Sequence, residues 1–150
     1  MKHNLTTITL IKETRTYCPT LTLNARGKVV IGWEHVLRSN KQKAEFSDSA
    51  FCAEEAEKLL IKDLKIIDAK LSKLITANLT QKQYNAIISL CYDISVKTFK
   101  ESGILELINN YQFTEATGQL RKWNTYLNEK SYKLAKLRKI EISLLTTTDY

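Results

Sequence analysis

Residues 53–74 read AEEAEKLLIKDLKIIDAKLSKL, and within them Ala56, Leu59, Leu60, Leu64, Ile67 and Leu71 fall on one side of a 3.6-residue period. Lysine, glutamate and aspartate fill the other side. At about 1.5 Å per residue such a segment makes a rod of roughly 33 Å, long enough to join two lobes. Before it, Leu5 to Thr14 predicts a short helix. The character then changes: Leu21 and Leu23 alternate with threonine, Asn24-Ala25-Arg26-Gly27 has turn chemistry, and Val29-Val30-Ile31 is rich in β-branched residues, so Tyr17 to Val36 predicts a hairpin or small sheet. Arg38 to Ser49 reads as a polar, turn-prone connection. After the rod, Thr80 and Gln83 have capping-box spacing ahead of Tyr84, Ile87, Ile88 and Cys91, so a helix starts at Thr80. Further helices are expected at Phe99 to Asn109, Thr114 to Trp123 and Lys133 to Leu145. The expected fold class is α+β and predominantly α. One domain spans residues 1–150, with an N-terminal lobe at 10–52, a connecting helix at 53–74 and a helical lobe at 75–150 on which residues 1–9 can pack. A cleft lies between the lobes.

Composition agrees with this layout. A chain of 150 residues with 43% hydrophobic content fills one core, and four glycines with one proline argue against a many-turned all-β protein. Lysine and arginine number 23 against 16 acidic residues, giving a net charge of +7. A polyanion is therefore a natural partner, whether nucleic acid, anionic lipid or wall polymer. No recognised nucleic-acid motif accompanies the charge, so nucleic acid is the least favoured of these. Lys97, Lys100, Arg121, Lys122, Lys130, Lys133, Lys136, Arg138 and Lys139 make the C-terminal third basic, and a solvated helix surface is the simplest account of them.

Cys18, Cys52 and Cys91 are odd in number and lack CxxC spacing, which suits buried thiols better than zinc ligands or a disulfide framework. With only His3 and His35 available, neither a metal nor any other cofactor is expected. No apolar run reaches the roughly 20 residues of a membrane span. The opening MKHNLTTITLIKETR has neither an apolar core nor a small-residue cleavage site, so a cytoplasmic monomer as synthesised is expected, with any delivery to the periplasm or into another cell left to a separate system.

Several segments in order carry a family resemblance. Ile11-Lys12, followed by Ile31-Gly32-Trp33-Glu34-His35, resembles the I-K-x-F-E-G and T-I-G-Y-G-H segments of phage-type lysozymes of glycoside hydrolase family 24, the endolysins that hydrolyse peptidoglycan. Leu79-Thr80-Gln81-Lys82-Gln83-Tyr84-Asn85-Ala86-Ile87-Ile88-Ser89-Leu90 is similar to their L-T-Q-x-Q-F-D-A-L-x-S-F. Lys133 to Glu141 resembles their closing G-L-x-R-R-R-x-x-E. The likeness runs from about Leu10 to Leu145.

In that ungapped register the family's catalytic positions are all substituted. Arg15 stands at the general-acid glutamate, Asn24 at the hairpin aspartate and Val30 at the threonine of T-I-G. Glycoside hydrolysis needs an acid to protonate the leaving oxygen and a second carboxylate to activate water or stabilise the transition state. A guanidinium with a pKa above roughly 12 gives up no proton at working pH, and its charge opposes the developing oxocarbenium ion. Asn24 carries no charge and Val30 cannot hydrogen-bond. Loss of the general acid alone costs roughly 10²–10⁴-fold in rate. No catalytic residues are expected, and the resemblance implies a pseudoenzyme that binds a peptidoglycan-like glycan or a protein partner.

The alternative is an active muramidase in which Glu34 has taken over a catalytic role. Glu13 is no substitute, since two residues on a helix place it about 200° from Arg15. Glu34 sits at the hairpin end and can reach the cleft, where pairing with Arg15 would hold it ionised, as suits a base and not an acid. His35 matches a structural histidine, and Asp93 replaces the amide of the family's F-N-x-G. The closing run is one cation shorter here, Lys136-Leu137-Arg138, and that loss removes repulsion from a cation at position 15. The cleft residues are therefore Arg15, Asn24, Glu34, His35, Asp93 and Arg138.

Overall fold

The structure, a computed structural model, describes residues 1–46, 52–126 and 129–147. Helix α1 (Leu5–Thr14) starts at Asn4, whose side-chain oxygen accepts from the Thr6 and Thr7 amides while Thr7 Oγ1 accepts from the Asn4 amide. This reciprocal cap offsets the low helix propensity of the threonines. The chain then enters a three-stranded antiparallel sheet of β1 (Cys18–Leu23), β2 (Val29–Gly32) and β3 (His35–Val36), in that spatial order. The β1–β2 turn is organised by Asn24, whose side-chain oxygen accepts from the amides of Arg26 and Lys28 at 2.9 and 3.0 Å.

Helix α2 (Asn40–Glu45), capped by Ser39, lies where the polar composition predicts only a connection. The cap and four helix-compatible residues, Lys41 to Ala44, outweigh the polarity. The end of that polar stretch, residues 47–49, lies outside the described residues. The connecting rod is α3 (Ala53–Leu71), with Ala56, Leu60, Leu64, Asp68 and Leu71 buried on one stripe. It stops three residues before the predicted Leu74, because the amides of Leu74 and Ile75 both turn back onto the Leu71 carbonyl.

Helix α4 (Gln81–Ile94) runs through the middle of the molecule and is buried on almost every side, from Gln83 through Cys91. Thr80 caps it and Gln83 Oε1 accepts from the Thr80 amide, the reciprocal box the sequence predicts. Around it pack α5 (Val96–Glu101), α6 (Ile104–Asn109), α7 (Phe113–Arg121) and α8 (Tyr132–Thr146), with a small pair β4 (Thr125–Tyr126) and β5 (Glu129–Lys130) before α8. The single helix predicted over Phe99 to Asn109 is two, because Gly103 takes a φ of 83°, a left-handed conformation that ends one helix and starts the next.

One continuous core joins Ile11 of α1, Leu60 and Leu64 of α3, Ile88 of α4, Phe99 of α5 and Leu145 of α8. The N-terminal residues lie against it: the His3 amide donates to Asp68, and Thr7 Oγ1 donates to Asn85 at 2.6 Å. The molecule is predominantly helical and two-lobed, and α1, the sheet, α4 and α8 converge where the lobes meet.

Candidate functional site between the lobes

Arg15 is the C-cap of α1, so its side chain leaves the helix end toward α4. It is 6% exposed. Nη1 donates to Thr14 Oγ1 and to Ser89 Oγ at 2.9 and 2.8 Å, and Nη2 donates to the Ser89 carbonyl at 2.7 Å. The Tyr92 ring lies beneath the guanidinium, 5.4 Å from Cζ to the centroid. Ser89 Oγ in turn donates to Glu141 Oε1 at 2.7 Å. Arg15 is thus tied through one hydroxyl to a carboxylate with no exposure to solvent.

Residues 89 and 93 are one helical turn apart on α4, so Asp93 faces the same region. It receives Arg26 Nε and Nη2 from the β1–β2 turn at 3.1 and 3.2 Å, and Arg138 Nη1 from α8 at 2.9 Å. Arg138 also donates Nη2 to Glu141 Oε1 at 3.0 Å, and its Nε lies 2.9 Å from Glu141 Oε2 in an ion pair that lacks hydrogen-bond alignment. Arg26 and Arg138 therefore share Asp93, Arg138 also holds Glu141, and Arg15 reaches Glu141 only through the Ser89 hydroxyl.

The titration behaviour follows from this geometry. Burial pulls the Arg15 pKa below its ordinary value, while Glu141 and Asp93 resist the shift. Burial also acts to raise the Asp93 pKa, but the Arg26 hydrogen bond and the Arg138, Arg26 and Arg15 charges outweigh it, and the net shift is downward. For Glu141 burial wins over Arg138, Arg15 and the Ser89 hydrogen bond, so its pKa is raised. Glu141 has the shift expected of a proton donor, yet it is sealed behind Ser89 and Arg138 and does not border the pocket.

The pocket between the lobes is lined in part by Arg15, Asn24, Arg26, Glu34, Asp93 and Lys133, and has a cavity volume of about 30 Å³. That is room for an ordered water among the lining side chains. Two links cross it. Arg26 reaches the carbonyls of Trp123 and Thr125 at 3.1 and 3.0 Å in addition to Asp93, and lies 5.6 Å from the Trp123 ring centroid. At the rim, Lys133 Nζ donates to Glu34 Oε1 and to Thr16 Oγ1, both at 3.1 Å.

Of the residues singled out in the sequence, Arg15, Asn24, Glu34 and Asp93 border this one pocket, whereas Val30, His35 and Arg138 do not. Val30 is fully buried in β2. His35 Nδ1 lies 2.5 Å from Asp63 Oδ2 and ties the sheet to α3. Arg138 lies beneath the floor, 1% exposed. The Arg15–Glu34 pair does not form: Arg15 is taken by Ser89 and Thr14, and Lys133 at the start of α8 reaches Glu34 instead. Arg26, Ser89 and Glu141 have no site role in the sequence analysis, and Lys133, expected on a solvated basic surface, reaches Glu34 at the pocket rim. The signal for two of them was present in helical spacing, Ser89 four residues before Asp93 and Glu141 three after Arg138. Among the described residues no cluster of histidine, cysteine, aspartate or glutamate could hold a metal ion, and no helix is long and apolar enough to cross a membrane.

A family model described as phage lysozyme matches residues 12–141. Among curated proteins, the endolysin of Bacillus phage B103 is 32% identical over 94 residues, which is 63% of this chain and 36% of that protein. The SAR-endolysin of Enterobacteria phage P21 is 29% identical over 115 residues, 76% of this chain and 69% of that protein. The chain thus spans little more than a third of the first of these relatives. Among solved structures, the muramidase domain of SpmX from Asticaccaulis excentricus superposes with a TM-score of 0.81 at 27% identity, covering 97% of this chain and 98% of that one.

Proposed function

The chain belongs to the phage lysozyme family, and from that premise we propose that it is a pseudoenzyme: it keeps the two-lobed scaffold, does not cleave glycan, and acts by binding a peptidoglycan-like glycan or a protein partner. The observation that carries this reading is Arg15, a buried guanidinium held by Ser89 and Thr14 at the position that the family resemblance gives to the general acid. None of the carboxyl groups nearby is arranged to replace that acid. Asp93 is held ionised by two arginines, Glu34 is engaged by Lys133, and Glu141 has no path to the pocket.

Two further features support a rebuilt pocket over a decayed one. Buried charge is costly unless it is paired or hydrogen-bonded, and Arg15, Arg26 and Arg138 each donate to at least two acceptors. Leu137, in the run where the family resemblance has successive arginines, borders the pocket without adding a further cation to Arg15, Arg26 and Arg138. Glu34 is also part of the lining, as the alternative muramidase reading needs, but its Oε1 is already engaged by Lys133 Nζ at 3.1 Å.

The test is turbidity loss of chloroform-treated Gram-negative cells. Wild type and Glu34→Gln should both match buffer while a phage endolysin control clears the suspension. Lysis by the wild type that Glu34→Gln abolishes would overturn the proposal and install the muramidase reading.

A further inference from the structure

A second cavity, of about 310 Å³, lies between α7 and α8 and is lined by Arg121, Asn124, Ala135, Arg138, Lys139 and Ile142. On α8 its lining residues 135, 138, 139 and 142 share one face, and residues 133, 134 and 137, which border the inter-lobe pocket, share another. At about 100° per residue these faces point roughly 145° apart, so the hollow opens away from the cleft.

Its chemistry differs from that of the ion-paired pocket. Arg121 and Lys139 are exposed, and neither side chain forms a hydrogen bond or ion pair with another described residue. Ala135 and Ile142 are half-buried and supply an apolar floor, and Asn124 adds an amide at the edge. Arg138 lies below, already engaged by Asp93 and Glu141. The surrounding segment, residues 113–147, carries seven lysines and arginines against three glutamates, one of which is the buried Glu141. Two unneutralised cations above an apolar floor match a ligand with an anionic group at one end and a carbon-rich face at the other. Arginine presents paired donors to the oxygens of a phosphate and lysine adds a point charge. The volume lies at the small end of the range for ligand pockets, the size of one substituted sugar.

We infer that the hollow between α7 and α8 binds a phosphorylated sugar, with its phosphate between Arg121 and Lys139 and the ring over Ala135 and Ile142. This inference is independent of whether the inter-lobe pocket is catalytic.

The probes are glucose 6-phosphate, inorganic phosphate and glucose, titrated at constant ionic strength into the isotope-labelled chain and followed by amide and side-chain chemical shifts. Glucose 6-phosphate should give saturable shifts at Arg121, Asn124, Lys139 and Ile142, with weaker binding of inorganic phosphate and no response to glucose. Each charge-assisted contact is worth about tenfold in affinity, so Arg121→Gln with Lys139→Gln should weaken binding about a hundredfold. Both side chains are exposed, so the double variant should keep its fold, which the unchanged remainder of the spectrum verifies. Shifts spread evenly over Lys130, Lys133 and Lys136 that collapse with added salt would overturn the site in favour of a solvated basic surface. Equal affinity for inorganic phosphate would overturn the sugar assignment.

Discussion

Asp93 shows what a single carboxylate does in a pocket dominated by arginines. Its pKa is lowered in the folded protein, so the stability it contributes is present above its unfolded value of about 3.9 and is lost as pH falls through the folded one. Glu141 has the opposite sign. Its raised pKa makes a contribution that is complete below about 4.3, the unfolded value, and lost as pH rises through the folded one. Asp93→Asn should lower stability at pH 7 by about 3 kcal/mol, because it leaves Arg26 and Arg138 short of a buried counter-charge. In urea unfolding at pH 7 and at about pH 3, the gap between wild type and variant should narrow on the acid side; a gap independent of pH would contradict the assignment. Arg15, Asn24 and Val30 stood out in the chain because the family resemblance on either side of them fixes the register at which they are compared. Their partners did not. Ser89 lies 74 residues from Arg15 and Asp93 lies 67 from Arg26, and no local periodicity encodes such pairings.

Element boundaries were legible wherever a side chain closes them. The Thr80–Gln83 box marks the start of α4 in sequence and structure alike, and Thr80→Ala should cost about 1 kcal/mol in thermal or urea unfolding. Gly103 marks the opposite case. Its neighbours read as one helical run, and only the left-handed φ of 83° reveals the break between α5 and α6. Apart from its own chain neighbours nothing lies within 4 Å of where a Cβ would stand, so Gly103→Ala should lose about 1 kcal/mol through backbone strain alone, with the core spectrum unchanged. Stabilisation by Gly103→Ala would mean that the two helices prefer to fuse. Helix α2 escaped the sequence reading because its residues are polar on every side, so no apolar stripe betrays it.

At the scale of the molecule, the lobes are laced together across the pocket between them. Arg26 alone carries four hydrogen bonds from the β1–β2 turn to Asp93 of α4, to Trp123 and to Thr125 at the start of β4, and Lys133 joins α8 to the opposite rim. Arg26→Ala should raise amide hydrogen exchange in residues 23–28 at least tenfold, as expected for losing charged hydrogen bonds, and leave the interior of α4 unchanged. Unchanged exchange in the turn would show that the lacing does not hold the sheet in place. The overall layout was readable from periodicity, but these links were not, since they depend on long side chains meeting across the gap. The most direct measurement is chromatography of soluble products after the purified chain is incubated with purified peptidoglycan. The account predicts no muropeptides above the buffer control, and release at the rate of an ordinary phage endolysin would contradict it.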